Sequence, residues 1–397
     1  MDKDKVQQEV RSITDQLINI RRYLHEHPEL SFHEEKTADY ISKLLAHWSI
    51  PHKTNIGGHG IVGLIKGQNP DSKAIALRAD MDALPITEEN KVEYCSVNPG
   101  VMHACGHDVH MTCLLGTVKI LSENPLWFEG TIKFIFQPAE ETLPGGALKM
   151  IQDGVLENPA PELIIGQHVF PELEVGKVGV KAGPYMASSD EINLTITGTG
   201  GHGAIPSSFD DTVLATSEII YKIKNAVSKE APEGFPTVLS FGKVIADGAY
   251  NVIPSEVTVK GTFRTFNEDW RQRVYSIIND LSQEISTKHN TVCDVFINNG
   301  YPVLENNESL VASFKDAASG FLGDENVVDL EVRTTVEDFA RYTQYIPGCF
   351  YRLGIANKEK GITSNLHSPT FNVDEQSIEI GTGMMIWNTL LLLGNRD

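Results

Sequence analysis

Apolar residues recur at three- and four-residue intervals over 5–23 and again over 35–47, the spacing of two amphipathic helices separated by Pro28. The pattern then changes. Short apolar runs stand at 61–65, 74–77, 131–136 and 163–166, each bounded by Gly, Pro, Asn or Asp, with helix-like segments at 107–123 and 146–154 between them. Strands alternating with helices predict an α/β layer around a mixed, mostly parallel sheet.

From about Asp190 the texture shifts again. Ile192, Leu194 and Ile196 alternate with polar residues, as in a half-exposed strand. An amphipathic segment follows at 211–227, then strand patterns at 237–244 and 256–263, a helix pattern at 268–289 and a strand at 291–297. The order β-α-β-β-α-β is that of a ferredoxin-like α+β module, about 110 residues in all. After Gly300 the first texture resumes, with helix patterns at 308–319 and near 337–344, a strand at 349–353 and a closing helix at 376–393. The expected organisation is one large α/β domain in two parts, 1–184 and 300–397, interrupted by a small domain at 185–299.

Length and composition agree with this division. At a soft prior of about 150 residues per domain, 397 residues make two or three folding units. Hydrophobic residues at 41% and charged residues at 22% exclude disorder and a coiled-coil rod. The net charge of −20 argues against nucleic-acid and membrane-surface binding, while leaving room for a small anionic substrate met by local cations. Five scattered cysteines with no CxxC pair read as reduced thiols. The N-terminal stretch is polar and lacks the apolar core of a secretory signal, so the expected location is the cytoplasm.

The densest candidate chemistry is Met102-His103-Ala104-Cys105-Gly106-His107-Asp108-Val109-His110, where five side chains able to bind metal or titrate fall within eight residues. Thiolate, imidazole and carboxylate suit borderline divalent ions, and a helix opening at His107 would lower the pKa of the Cys105 thiol. The competing interpretation is a polar helix cap made by Asp108. Gln137-Pro138-Ala139-Glu140-Glu141 follows an apolar strand, at the carboxyl end where α/β sheets bind ligands. One of its carboxylates is suited to a metal and the other to general acid–base work. His168 ends another apolar run, His367 stands in a turn before the last helix, and Asp80 and Asp82 close the strand at 74–77 as orienting carboxylates.

In the small domain, Gly198-Thr199-Gly200-Gly201-His202-Gly203 formally matches GxGxxG. No helix opens directly after it, so a dinucleotide site is not expected, and a turn presenting His202 is. Asn251 and Arg264 supply an amide and a guanidinium suited to a carboxylate. HExxH, GxSxG and GxxxxGK[ST] are absent, so zincin, serine-hydrolase and P-loop chemistry are unsupported.

With these motifs in order, joined by the Arg21-Arg22-Tyr23-Leu24-His25 stretch, Val336-Glu337-Asp338-Phe339 and the run at 366–375, the chain resembles the peptidase M20 metallohydrolases. Within them it is most similar to the amidohydrolase branch of hippurate hydrolases and N-acyl-amino-acid amidohydrolases. The resemblance implies two divalent ions per subunit, Mn²⁺ or Zn²⁺ with Co²⁺ or Ni²⁺ as possible substitutes, bound by Cys105, His107, Glu141, His168 and His367. It implies Glu140 as general base, Asp82 as an orienting carboxylate, and a lid domain carrying His202, Asn251 and Arg264 to the substrate. It further implies a homodimer formed through the lid and hydrolysis of N-acyl amino acids, with dipeptidase or carboxypeptidase action as the alternative.

Overall fold

The structure, a computed structural model, describes residues 2–394. It forms two compact units. The first comprises Met1–Gly183, Glu305–Glu331 and Glu337–Asp397; the second comprises Pro184–Leu304 and Val332–Val336.

The first unit is built on an eight-stranded sheet in the order His52–Ile56, Gly60–Lys66, Thr131–Gln137, Ala74–Asp80, Ile164–Glu174, Gly348–Ala356, Val178–Val180, Val327–Asp329. The four strands at its centre, from Thr131–Gln137 to Gly348–Ala356, run parallel. Antiparallel neighbours flank them on both sides. This is the mixed, mostly parallel sheet that the pattern predicts. Every residue of Ala74–Asp80, Thr131–Gln137 and Gly348–Ala356 is buried, which is why these strands read as continuous apolar runs. The helices Lys3–Glu26, His107–Glu123 and Gln376–Leu393 pack on one another, and Leu17, Leu114, Val118, Ile378 and Met385 belong to one core with strand residue Leu353.

Some elements differ from the sequence expectation. The edge strand His52–Ile56 has no apolar periodicity because its three middle residues face solvent. The helix expected near 337–344 is only Ala340–Thr343, since Glu337 and Asp338 are drawn onto a buried arginine instead of opening a helical turn. The helix Gly146–Gln152 ends two residues early, just before Gly154 takes φ +81°.

The second unit is a four-stranded antiparallel sheet in the order Val238–Ile245, Glu256–Arg264, Asp190–Thr197, Val292–Asn299. The helices Thr212–Glu230 and Glu268–Lys288 pack together, and their apolar stripes share a core with Ile192, Leu194 and Ile196. Numbered by sequence, the strand order is 2-3-1-4, the ferredoxin-like arrangement. Val332–Val336 joins this unit through backbone bonds of Arg333 with Tyr185 and Ala187, at 2.9 and 3.1 Å, and through Arg264 Nη1 donating to the Thr334 carbonyl at 2.6 Å.

Candidate metal centre

Several titratable side chains of the first unit converge at the carboxyl ends of its central strands. The strand Ala74–Asp80 leads to Asp80 and Asp82, and Thr131–Gln137 leads to Glu140 and Glu141. His168 lies within Ile164–Glu174, which runs six residues past it. Cys105 and His107 flank Gly106, whose φ of +82° turns the chain into the helix His107–Glu123. A Cβ on Gly106 would stand 2.4 Å from Val169 Cγ2, so only glycine fits both the turn and the close approach. His367 adopts φ +60° and its N–H donates to the Ala104 carbonyl at 2.8 Å, which ties its turn to the Cys105 loop.

Cys105 Sγ lies 3.5 Å from His168 Nε2, and Glu141 Oε1 lies 3.3 Å from His367 Nε2 and 3.9 Å from His107 Nε2. Five groups of three candidate ligands have their donor atoms within 4.8 Å of one another among the described residues, and two of them share the thiol: Cys105–His107–His168 and Cys105–Glu141–His367. Cys105 belongs to both. His168 Nδ1 is committed to the Val169 carbonyl at 2.7 Å, which leaves a lone pair on Nε2 toward the thiol. His107 Nε2 and Glu141 Oε1 are buried and lack hydrogen-bond partners among the described residues. Buried polar atoms are normally paired, and their orientation here fits cations. Asp82 Oδ1 stands 3.3 Å from His107 Nδ1, while its Oδ2 accepts from Ser31 Oγ at 2.6 Å and the Glu141 N–H at 2.9 Å.

Electrostatics are dominated by carboxylates. Burial, then Glu141 and Glu140, push the Cys105 thiol well above its ordinary pKa. The expected lowering by the helix N-terminus is therefore overturned. Burial acts to lower His107, but Asp80, Asp82 and Glu141 outweigh it and push the imidazole up to about 10. Burial holds His168 well below the usual histidine range, and the Arg352 guanidinium adds to the effect. Burial, then Glu337 and Glu141, hold the Glu140 carboxyl well above the usual range.

The remaining side chains of 103–110 have separate tasks. Asp108 is not a cap: its Oδ2 accepts from Arg21 Nε and pairs with His25 Nδ1, both at 2.8 Å. His110 Nδ1 bonds Asp80 Oδ1 at 2.6 Å while Nε2 accepts the Val169 N–H at 2.9 Å, which fixes its tautomer. His103 is buried with no hydrogen-bond partner on either ring nitrogen among the described residues.

Sequence reasoning missed the buried arginine behind the site. Arg78 donates to Gln137 Oε1 at 2.9 Å, Asp80 Oδ2 at 2.6 Å and Asp338 Oδ1 at 2.8 Å, with Glu337 Oε1 at 3.0 Å. The available signal was its position: a charge inside an otherwise apolar strand needs partners. Glu34, also missed, has no such signal in its local sequence.

In the second unit, His202 and Asn251 are exposed and adjacent. The strand pair Gly201–His202 and Val252–Ile253 aligns them, and the Gly203 N–H donates to the Asn251 carbonyl at 2.8 Å. Arg264 does not join them. It ends the strand that begins at Glu256 beside that corner, and nine residues at 3.4 Å per step set the two ends roughly 27 Å apart.

A sequence profile for peptidase family M20/M25/M40 matches residues 76–386. An N-acyl-L-amino acid amidohydrolase of Geobacillus stearothermophilus is 40% identical over 314 residues, covering 78% of this chain and 83% of that protein. The thermostable carboxypeptidase 2 of Saccharolobus solfataricus is 34% identical over 381 residues, 95% of each chain. Among solved structures, the YXEP protein of Bacillus subtilis, described as a dinuclear metal-binding peptidase of the M20 family, superposes with a TM-score of 0.82. It is 32% identical, over 97% of this chain and 100% of that one.

Proposed function

Because the chain belongs to peptidase family M20/M25/M40, we propose that it is a metal-dependent amidohydrolase that cleaves N-acyl amino acids to a carboxylic acid and a free amino acid. The observation that carries this reading is the convergence of Cys105, His107, Glu141, His168 and His367 beside Glu140, with His107 Nε2 and Glu141 Oε1 buried and without a hydrogen bond among the described residues. Two divalent ions would be held, one by Cys105, His107 and His168 and one by Cys105, Glu141 and His367. Mn²⁺ or Zn²⁺ suits this mixture of thiolate, imidazole and carboxylate, with Co²⁺ or Ni²⁺ as substitutes. When bound, such ions supply Lewis acidity that polarises a carbonyl and acidifies water.

The chain's own residues do the rest. Glu140 accepts a proton from the attacking water and returns it to the amide nitrogen as the C–N bond breaks, so the water's hydroxyl goes to the acyl carbon and its other proton to the departing amine. Asp82 keeps His107 in orientation through Nδ1. Arg264 receives the substrate carboxylate, Asn251 assists, and His202 donates to the developing oxyanion. With His202 and Asn251 beside the Glu256 end of that strand and Arg264 at its other end, roughly 27 Å of strand away, one copy of the small unit does not set all three on an amino-acid-sized substrate. A homodimer in which a second copy supplies His202 and Asn251 meets that requirement.

No helix among the described residues is long and apolar enough to cross a membrane, and the free cysteines, four of them buried, suit the reducing cytoplasm. The carboxypeptidase relative favours a second reading, cleavage of dipeptides at the same centre. N-acetyl, N-benzoyl and N-indoleacetyl amino acids assayed beside simple dipeptides, each with Mn²⁺, Zn²⁺, Co²⁺ and Ni²⁺, separate the two. The Glu140→Gln variant is expected to bind the same number of metal ions and to lose about 10²- to 10⁴-fold in turnover. Near-normal turnover in that variant, or no amide hydrolysis with any ion, overturns the reading.

A further inference from the structure

The turn that carries Glu140 and Glu141 is held from outside. Ala139, immediately before Glu140, has φ +53°, a left-handed conformation that a residue with a Cβ adopts only at a cost. Its N–H donates to Glu34 Oε1 at 2.7 Å, and its carbonyl accepts the Gly146 N–H at 2.9 Å. Glu34 has no solvent exposure, and the same Oε1 accepts the N–H of Phe32, itself at φ +66°, at 3.0 Å. Two residues beyond Ala139, the Glu141 N–H is held by Asp82 Oδ2 at 2.9 Å. Glu140 thus sits between two backbone amides, each anchored on a carboxylate from elsewhere in the chain.

Glu34 is an expensive residue to place there if its task is only to fill space. Its Oε2 is buried without a hydrogen-bond partner among the described residues, and an apolar side chain would avoid that cost. Burial, with the Asp82 charge adding to it, pushes its carboxyl up to about 7. Oε1 serves as acceptor in either protonation state, and a glutamine offers the same carbonyl oxygen.

We propose that Glu34 is a positioning residue for the hydrolysis: by holding Ala139 in its left-handed conformation, it sets where the Glu140 carboxylate stands. The inference rests on the proposed role of Glu140 in proton transfer.

The test is a double-variant cycle with the metal-loaded protein and an N-acyl amino acid that it hydrolyses. Glu34→Ala should lower kcat about tenfold to a hundredfold, with KM within about twofold, because a small displacement of a reacting group is costly. Glu34→Gln should keep most of kcat. Glycine enters the left-handed region freely, so Glu34→Ala made on top of Ala139→Gly should cost about tenfold less than in the parent chain. On the metal-free protein, amide hydrogen exchange across 137–141 should speed up in Glu34→Ala and stay slow in Glu34→Gln. Should Glu34→Ala fail to fold, Glu34→Asp withdraws the acid by one methylene, and kcat must again fall and again recover with Ala139→Gly. Equal losses in Glu34→Ala and Glu34→Gln, or no recovery with Ala139→Gly, overturn the inference. An inactive Glu140→Gln alongside that result overturns the inference alone, whereas an active Glu140→Gln overturns the proposed role of Glu140 and this inference with it.

Discussion

Replacing Arg78 by methionine tests whether one guanidinium holds the acidic wall of the centre together. Arg78 is 1% exposed and faces Asp80, Asp338 and Glu337 at 2.6, 2.8 and 3.0 Å. Each acid keeps another donor without it: His110 for Asp80, Gln137 Nε2 and the Ala147 N–H for Asp338, and the Phe339 N–H for Glu337. The cost is therefore that of breaking one buried pair, about 3–5 kcal/mol, rather than three times that. At roughly 2–4 °C per kcal/mol in domains of 150–250 residues, Tm should fall by roughly 6–20 °C. The deficit should depend on pH. Burial pushes Asp338 from 3.8 up to about 7 even with Arg78 opposing it. An acid raised in the folded state contributes stability that is complete below its unfolded pKa and is lost as pH rises through the folded one. Removing Arg78 raises Asp338 and Glu337 further, so the loss extends to higher pH. Urea unfolding of the metal-free protein at about pH 5.5 and about pH 8 reads this out, with the larger deficit expected at the higher pH. A deficit below about 1 kcal/mol, or one equal at both pH values, would refute the reasoning.

Cys105→Ser replaces the donor common to both ligand sets, so metal analysis should find fewer than two ions per chain. The cobalt form should lack the thiolate charge-transfer band, and turnover should fall at least about 100-fold; a variant that keeps both ions and full turnover removes Cys105 from its place. Lys133→Met tests a different buried charge, one whose ammonium donates to the carbonyls of Val155, Glu157 and Pro159 at 2.7, 2.6 and 2.8 Å. Orphaning those carbonyls should cost about 3 kcal/mol in denaturant unfolding while metal content stays the same, and unchanged stability would show that the carbonyls find other donors.

The sequence showed most clearly those elements whose burial is uniform. Thr131–Gln137 is enclosed on both faces and reads as an apolar run; His52–Ile56, with its middle three residues in water, has no pattern to read. Glu337 and Asp338 misled for the opposite reason. Two acids ahead of an apolar turn look like the first turn of a surface helix, and only Arg78, some 260 positions earlier, turns them inward. Glu34 bonds the Ala139 amide across 105 positions, so nothing in its neighbourhood announces it. Cys105 and His107 were legible because their density is local, whereas the residues that hold the centre in shape are defined by contacts made after folding.

The misjudged thiol carries the same lesson in electrostatic terms. A helix N-terminus favours a nearby anion by about 0.3–1 kcal/mol. A carboxylate about 4 Å away opposes it by about 4 kcal/mol at an effective dielectric of 20, and Glu141 and Glu140 both act on Cys105 in that sense. The dipole argument was correct in sign and too small to decide. With the helix outweighed, the Cys105 thiol has no protein group strong enough to deprotonate it, and two divalent charges are what can reverse the balance. On the proposed ligand assignment, formation of the thiolate and occupation of the Cys105–His107–His168 and Cys105–Glu141–His367 sets would be a single event. That is the physical reason a carboxylate-rich cavity can afford a cysteine as its shared donor.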